Sequence, residues 1–157
     1  SFERAFGKAQ LASGFRLPTS GRVFVSVKDS DKPLVLGVAR KLVSLGFSLV
    51  CTRGTSDYFE ERGVASEIIN KVTEGRPHVV DLIKSGEVKM VINTTVDRQA
   101  IQDSRSIRRS TYVHDIPYQT TIPGALSAVG AIASLQEDAT PHIASLQQLY
   151  AQGAEAE

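Results

Sequence analysis

The sequence is short of the residues that several common classes of protein require. Its 157 residues include a single cysteine, Cys51, so neither an internal disulfide nor a cysteine-based metal cluster can form, as expected of a protein in a reducing cytoplasm. No apolar run approaches the roughly 20 residues needed to cross a bilayer, and residues 1–6 lack the charged-then-apolar pattern of a secretory signal. An initiator Met is also missing, from which we expect a fragment of a longer chain.

The chain carries almost no excess of charge of either sign. Its 18 lysines and arginines nearly balance its 17 aspartates and glutamates, which gives a formal net charge of +1. This balance removes any case for nucleic-acid binding from bulk electrostatics. An apolar content of 41% and a charged content of 22% are ordinary for one globular domain, so function has to come from the local placement of charge.

Short β-branched segments alternate with segments of helical periodicity along most of the chain. Val23–Val27 is apolar apart from Ser26 and predicts a buried strand, after which apolar residues recur at helical spacing from Leu34 to Val43. The pattern predicts strands at 23–27, 47–51, 65–69, 89–93 and 116–119. It predicts helices at 2–12, 34–45, 56–62, 79–84, 100–109, 123–135 and 143–150.

This alternation is typical of an α/β fold with a parallel sheet covered by helices on both faces. Right-handed crossovers favour an open, doubly wound sheet. In such a sheet a ligand lies beyond the carboxyl ends of the strands, where the strand order reverses. We assign residues 1–20 to an N-terminal helix and a linker from a preceding domain, and residues 21–157 to the main domain.

Polar and basic residues cluster where the predicted strands end. Ser26 and Lys32 follow the first strand, and Lys71 follows the third. The second strand runs into Thr52-Arg53-Gly54-Thr55, and the fourth ends in Asn93-Thr94-Thr95. Helix N-termini carry unpaired N–H groups and partial positive charge, lysines supply compact charge for a phosphate, and hydroxyl and amide groups hydrogen-bond phosphate and ribose oxygens. One anion site built from distant segments would explain the whole set.

Each of these features also has an ordinary structural interpretation. The segment 52–55 can cap a helix, the lysines can be solvated surface charges, and the segment 93–95 can terminate a strand. The spacing matches neither the Walker pattern nor the dinucleotide glycine fingerprint. His78, His114 and His142 are too scattered to indicate a metal site, and His78 directly precedes a predicted helix, where it is interpreted as part of the helix start.

Several segments, in a fixed order, resemble the allosteric domain of bacterial carbamoyl-phosphate synthase large subunits. They are Val25-Ser26-Val27, Asp31-Lys32, Thr52-Arg53-Gly54-Thr55, Asn70-Lys71-Val72, Glu74-Gly75-Arg76-Pro77-His78, Ile92-Asn93-Thr94-Thr95 and Asp103-Ser104-Arg105-Ser106-Ile107-Arg108-Arg109. Any one of them is a weak signal. Their order and spacing, from about Phe2 through the last predicted helix, make the resemblance specific.

The resemblance implies a methylglyoxal-synthase-like fold, a three-layer sandwich around a five-stranded parallel sheet. It implies a regulatory domain without catalytic residues, which binds uridine monophosphate (UMP) as an inhibitor and inosine monophosphate (IMP) as a competing activator. Matched position by position, the phosphate ligands would be Lys32, Thr52, Thr55 and Lys71. The ribose contacts and pocket lining would be Asn93, Thr95, Ser26, Gly54 and Thr94.

The resemblance also implies partners that lie outside this chain. Ornithine activates enteric-type relatives at a domain boundary, and Thr120 matches the one contributor from this domain. The ATP-grasp domains would lie outside this chain, as would the glutaminase small subunit. Those domains would use ATP, Mg²⁺ and K⁺ to make carbamoyl phosphate for pyrimidine and arginine biosynthesis. No cofactor is therefore expected in this chain. We expect a cytoplasmic enzyme that can form oligomers, with no nucleic-acid or membrane partner.

Two enzymes that share this fold are the alternatives. Methylglyoxal synthase, a lyase, needs a carboxylate base in a Gly-Gly-Asp segment where this chain has Gly75-Arg76-Pro77, and a guanidinium reverses the charge that proton abstraction requires. Its second aspartate and its histidine are also unmatched, near Thr95 and Ala100. The IMP cyclohydrolase domain would continue into a Lys-Thr-Leu-His-Pro segment that this sequence does not contain. The sequence therefore favours the regulatory interpretation.

Overall fold

Five parallel strands form the centre of the fold. The computed structural model describes residues 2–12, 16–94 and 98–137. Its strands, in the sheet order β3-β2-β1-β4-β5, are β1 (Arg22–Ser26), β2 (Ser48–Cys51), β3 (Glu67–Ile68), β4 (Val88–Asn93) and β5 (Tyr118–Gln119). The helices are α1 (Phe2–Ala12), α2 (Lys32–Ser44), α3 (Arg53–Glu60), α4 (Val79–Lys84), α5 (Arg98–Val113) and α6 (Ile122–Glu137), with short 3₁₀ turns at Asp29–Asp31 and Val72–Glu74.

Helices cover both faces of the sheet because successive side chains of a strand point to opposite faces. Val23 and Val25 of β1 lie in a core that they share with residues of α2, α3 and α6. Phe24, between them, lies in a second core with Ile83 of α4 and Ile107 of α5. Burial on both faces explains why β1 reads as a continuous apolar run. The predicted α/β fold, with a five-stranded parallel sheet and flanking helices, is confirmed.

Helix α3 begins at Arg53, whereas the sequence predicts its start at Ser56. Thr52 has an extended conformation (φ −66°, ψ 151°), and its carbonyl oxygen accepts the N–H groups of Thr55 and Ser56. Gly54, predicted to be a turn residue, therefore lies in the first helical turn. The correction matters for function, because it places the N-terminus of a helix directly beyond the end of β2.

The remaining elements differ from prediction mainly in length. Helix α5 is longer than its predicted range of 100–109, and β3 and β5 are 2 residues each. Both short strands lie at the edges of the sheet, where a short strand leaves few unpaired backbone groups exposed. The helix predicted at 143–150 lies outside the described residues.

The strand order reverses next to β1. The chain passes from β1 outward to β2 and β3 on one side, then crosses back to β4 and β5 on the other. Ser26 at the end of β1 is in register with Asn93 at the end of β4, and the Thr94 N–H extends the ladder by donating to the Ser26 carbonyl oxygen at 3.1 Å. In an open α/β sheet this switch point is where a ligand crevice forms.

Helix α6 is strongly apolar because it is a core element. Its buried residues are Ile122, Ala125, Ala128, Val129, Ala131 and Ile132. Helix α1 packs on it closely, since a Cβ added to Gly7 would lie 3.4 Å from the Cβ of Ala131. Within the described part of the chain, no helix combines the length and the apolar character needed to pass through a bilayer.

The burial of α6 leads to a stability prediction. Ile132→Ala should lower the free energy of unfolding by about 2–5 kcal/mol, because it leaves a cavity at a fully buried position. The matched control is Leu126→Ala on the same helix, where the side chain is 54% exposed and the change should be small. Urea denaturation of both variants measures the difference. Equal losses would contradict the packing of α6 described above.

Candidate anion-binding site

Side-chain hydroxyl groups tie the end of β1 to the start of α3. The Ser26 and Thr52 hydroxyl oxygens lie 3.2 Å apart, with either able to donate, and both residues are buried. The Val27 N–H donates to the Thr55 hydroxyl oxygen at 3.4 Å. Ser26, Thr52 and Thr55, which are far apart in the chain, therefore meet at the carboxyl edge of the sheet.

The N-terminus of α3 is the natural anion-binding element of this cluster. The first N–H groups of a helix have no acceptor within that helix. In α3 these are the N–H groups of Arg53 and Gly54, because those of Thr55 and Ser56 donate to the Thr52 carbonyl oxygen. The Thr52 side chain makes no capping hydrogen bond to the helix. Its hydroxyl group contacts Ser26 instead. Free N–H groups and the partial positive charge of the helix end both favour a bound anion.

Lys32 brings a positive charge to the same helix end. It is the first residue of α2, its side chain is only 16% exposed, and its Nζ lies 3.5 Å from the position that a Cβ on Gly54 would occupy. Gly54 and the ammonium group are therefore direct neighbours at the start of α3. Lys32 Nζ also contacts Asp29 Oδ1 at 2.7 Å, and this hydrogen bond and charge lower the pKa of Asp29. Asp29 is fully exposed, so water screens this partner and a phosphate could replace it.

Asn93 and Thr94 form the opposite side of the cluster. The Asn93 amide group donates to the Tyr118 hydroxyl at 3.1 Å and to the Ser104 hydroxyl at 3.3 Å, so it connects β4 to β5 and α5. Thr94 is buried, and its hydroxyl oxygen has no hydrogen-bond partner among the residues that the structure describes. A buried hydroxyl is normally hydrogen-bonded, so this one marks a position where a ligand could supply the bond. Thr95, the next predicted contact, lies outside the described residues.

Lys71 lies at the same edge of the sheet, directly before a turn that contacts α5. The Ile69 N–H donates to the Cys51 carbonyl oxygen at 2.9 Å, which carries the chain past the end of β2 to an exposed Lys71. The Lys71 N–H donates to the Glu74 carboxylate at 2.9 Å across the 3₁₀ turn. Burial raises the pKa of the Asp103 carboxyl on α5, and the charge of Lys71 opposes part of this rise. The turn that follows Lys71 is thus joined to α5 by the hydrogen bond between Thr73 and Asp103.

The buried carboxyl of Asp103 is the residue that sequence reasoning missed at this edge. Its Oδ2 accepts the Thr73 hydroxyl at 3.4 Å, and burial is the main cause that raises the pKa of this carboxyl. The available signal was helical spacing: Asp103 lies four residues before Ile107, and Ile107 lies three and four residues before Ser110 and Thr111, so all four lie on one buried face of α5. A charged residue on a buried helix face is unusual and marks a position to inspect.

Thr120 and His78 have other surroundings. Thr120 is exposed and follows β5, the strand at the far edge of the sheet beyond β4. His78 precedes α4, and its N–H donates to Asp81 Oδ2 at 3.0 Å, the main cause that lowers the pKa of Asp81. The predicted role of His78 at a helix start is therefore what the structure shows. Over the described ranges, no group of three or more His, Cys, Asp or Glu side chains is arranged to hold a metal ion.

Comparison with known proteins places this arrangement in a family. Residues 35–120 match the family model of the MGS-like domain. The carbamoyl phosphate synthase large chain of Myxococcus xanthus is 53% identical over 135 residues, which cover 86% of this chain and 12% of that protein. The large chain of Xanthomonas axonopodis pv. citri is 49% identical over 150 residues, which cover 96% of this chain and 14% of that protein. The chain thus spans only a small part of the length of these relatives.

A solved structure agrees on the fold. The crystal structure of methylglyoxal synthase from Elizabethkingia anophelis aligns with a TM-score of 0.57 and 18% sequence identity, over 72% of this chain and 79% of that one. At this identity the likeness concerns the fold alone. It supports the methylglyoxal-synthase-like sheet and helices described above.

The geometry of the cluster predicts that the chain binds simple phosphate anions. Inorganic phosphate should raise the thermal midpoint relative to chloride at equal ionic strength, because a ligand of the folded state stabilises it. Lys32→Gln should remove more than about half of this shift, since it deletes one charge-assisted contact. Lys41→Gln, at an exposed position in the last turn of the same helix, should retain it. Calorimetric scans that give the same shift for all three proteins would contradict the site.

Proposed function

Because the chain belongs to the family of MGS-like domains and is about half identical to carbamoyl phosphate synthase large chains, we propose that it is the regulatory domain of such a large chain. In this proposal the domain binds UMP as an inhibitor, with IMP as a competing activator, and performs no chemistry. The observation that carries the proposal is the meeting of Lys32, Gly54 and the Ser26–Thr52 hydroxyl pair at the N-terminus of α3.

The nucleotide phosphate would lie against the N-terminus of α3. The N–H groups of Arg53 and Gly54 and the hydroxyl groups of Thr52 and Thr55 would donate to its oxygens, and Lys32 would supply a positive charge. Lys71, already at this edge, would add a second charge. Charge-assisted hydrogen bonds of this kind are about twice as strong as neutral ones, which suits the recognition of a dianionic phosphate.

The sugar would extend from the phosphate toward the end of β4. Asn93 would contact the ribose hydroxyl groups, with Thr94 and Ser26 lining the pocket and Thr95 as a further contact. The Asn93 amide nitrogen already donates to Tyr118 and Ser104, so a ribose hydroxyl that accepts from this nitrogen would replace one of these partners. Nucleotide binding is therefore expected to alter contacts with β5 and α5.

Regulation by two nucleotides at one site requires that each favours a different state of the whole enzyme. A ligand shifts such an equilibrium only by its difference in affinity for the two states, and coupling of about 1–3 kcal/mol is typical. In the proposed enzyme the remaining length of the large chain carries the ATP-dependent synthesis of carbamoyl phosphate, with Mg²⁺ and K⁺, for pyrimidine and arginine biosynthesis in the cytoplasm. A glutaminase subunit, ornithine near Thr120 and oligomer contacts complete that proposal.

A methylglyoxal synthase activity is disfavoured by the segment at the expected catalytic base. Arg76 stands there, and its side chain is 73% exposed with its guanidinium 3.5 Å from Asp81 Oδ1. A guanidinium cannot accept a proton from a carbon acid at neutral pH, because it remains protonated. This local chemistry supports a binding role over the lyase alternative.

Nucleotide binding is tested by calorimetric titration with UMP. Lys32→Ala should weaken UMP binding by about 10- to 100-fold, since the loss of a charged hydrogen bond costs roughly 1.5–3 kcal/mol. Lys41→Ala on the same helix should bind as the unchanged chain does. Uridine, which lacks the phosphate, should bind weakly and show no dependence on Lys32. If UMP binds equally to the unchanged chain and to Lys32→Ala, the proposed phosphate site is wrong.

The absence of catalysis is tested separately. The chain should form no methylglyoxal from dihydroxyacetone phosphate above the uncatalysed background, because no carboxylate stands at the matched base position. A colorimetric assay for methylglyoxal, with an active methylglyoxal synthase as the positive control, measures this directly. Turnover above background would overturn the regulatory assignment.

A further inference from the structure

Asp103 is a buried carboxyl on α5 with an incomplete set of partners. It is 9% exposed, and of its two oxygens Oδ2 accepts the Thr73 hydroxyl at 3.4 Å while Oδ1 has no hydrogen-bond partner among the described residues. The hydrogen bond to Thr73 is long for a hydroxyl donor. A carboxylate that is buried with so little compensation is costly for folding, because desolvation disfavours its charged form.

The groups around Asp103 belong mainly to the turn that carries Lys71. Thr73 lies within this 3₁₀ turn, and Lys71 immediately precedes it. The charges that act on the Asp103 carboxyl are those of Lys71 and His78, which favour its ionised form, and Glu74, which opposes it. Glu74 is itself engaged with the Lys71 N–H inside the turn. Among these charges, that of the exposed Lys71 does most to favour the ionised form of Asp103.

We propose that Asp103 is a positioning residue for the proposed nucleotide site: its carboxylate attracts the Lys71 ammonium group and accepts the Thr73 hydroxyl, and so holds the Lys71 turn against α5 in the conformation that binds phosphate. The inference rests on the proposed function and adds a residue to it. Asp103 acts on the ligand only through Lys71. The negative charge of Asp103 also repels a phosphate, but the affinity gained by placing Lys71 exceeds the affinity lost to this repulsion.

The stability of the fold at pH 7 distinguishes a positioning role of Asp103 from a role in packing. Burial raises the pKa of Asp103 above its ordinary value of 3.8, so the folded state favours the protonated carboxyl. The stabilisation that this provides is present at low pH and is lost as the pH rises through the raised pKa. At pH 7 the ionised Asp103 is therefore a burden on the fold. Asp103→Asn should leave stability at pH 7 unchanged or increased, which a residue kept for packing would not do.

The first test compares UMP affinity among variants of the two partners by calorimetry. Asp103→Asn removes the charge and Thr73→Val removes the hydroxyl, and each should weaken binding by about 3- to 10-fold, the range expected for a partly buried charge or hydrogen bond. Thr73→Ser keeps the hydroxyl and should bind within about twofold of the unchanged chain. Thr73 is exposed, so its variants remain informative even if Asp103→Asn folds poorly.

The second test asks whether Asp103 acts through Lys71. In a Lys71→Gln background, Asp103→Asn should change UMP affinity by less than about twofold, because the cation that it places is absent. An undiminished effect in that background would mean that Asp103 contacts the ligand directly, which overturns the positioning role. If UMP binds the unchanged chain and Asp103→Asn equally well, or the variant more tightly, the inference fails alone. If the unchanged chain does not bind UMP, the proposed function fails and this inference with it.

Discussion

The site depends on the parallel arrangement of the strands and the reversal of their order beside β1. In a parallel sheet every strand ends at the same edge, so the residue after each strand is delivered to one place whatever its position in the chain. The contact between Ser26 and Thr52 and the ladder bond from Thr94 to Ser26 join three strand ends there. The N-terminus of α3, directly after β2, adds N–H groups to this edge.

The carboxylates that act on the two lysines at this edge differ in burial. Lys32 contacts Asp29, which is fully exposed and held only by solvent-screened forces. Lys71 precedes the turn whose Thr73 donates to the buried Asp103, and its charge favours the ionised form of that carboxyl. An exposed partner such as Asp29 can be exchanged for a ligand at little cost. A nearly neutral chain can in this way present a local positive site without a large excess of positive charge.

Helix α5 is the element that both sides of the site share. Through Ser104 it contacts Asn93 at the end of β4, and through the adjacent Asp103 it contacts the turn of Lys71. Farther along, Arg108 lies over the Tyr118 ring at 5.6 Å, and the Tyr118 hydroxyl accepts the Asn93 amide. Any ligand that competes for these contacts changes the packing of α5 directly. These contacts connect both sides of the candidate site to one helix.

The sequence alone determined the local elements and the composition of the strand ends. Periodicities of 2 and 3.6 residues are local properties, so the buried strand at Val23–Val27 and the helix at 79–84 were predictable, and the turn residues after each strand were visible as polar breaks. The start of α3 was misjudged because a glycine is tolerated in a first helical turn as readily as in a loop.

Only the tertiary structure decided which of these groups meet. The partners of Asn93 and Asp103 lie 11 to 30 positions away along the chain. The strand order depends on pairings over a longer separation, such as that of Ser26 with Asn93, and no local pattern specifies either. For the same reason, only the fold shows that the turn after Lys71 is joined to α5 by the Thr73–Asp103 hydrogen bond. Residue types reveal what chemistry is available, but long-range packing fixes the distances at which it operates.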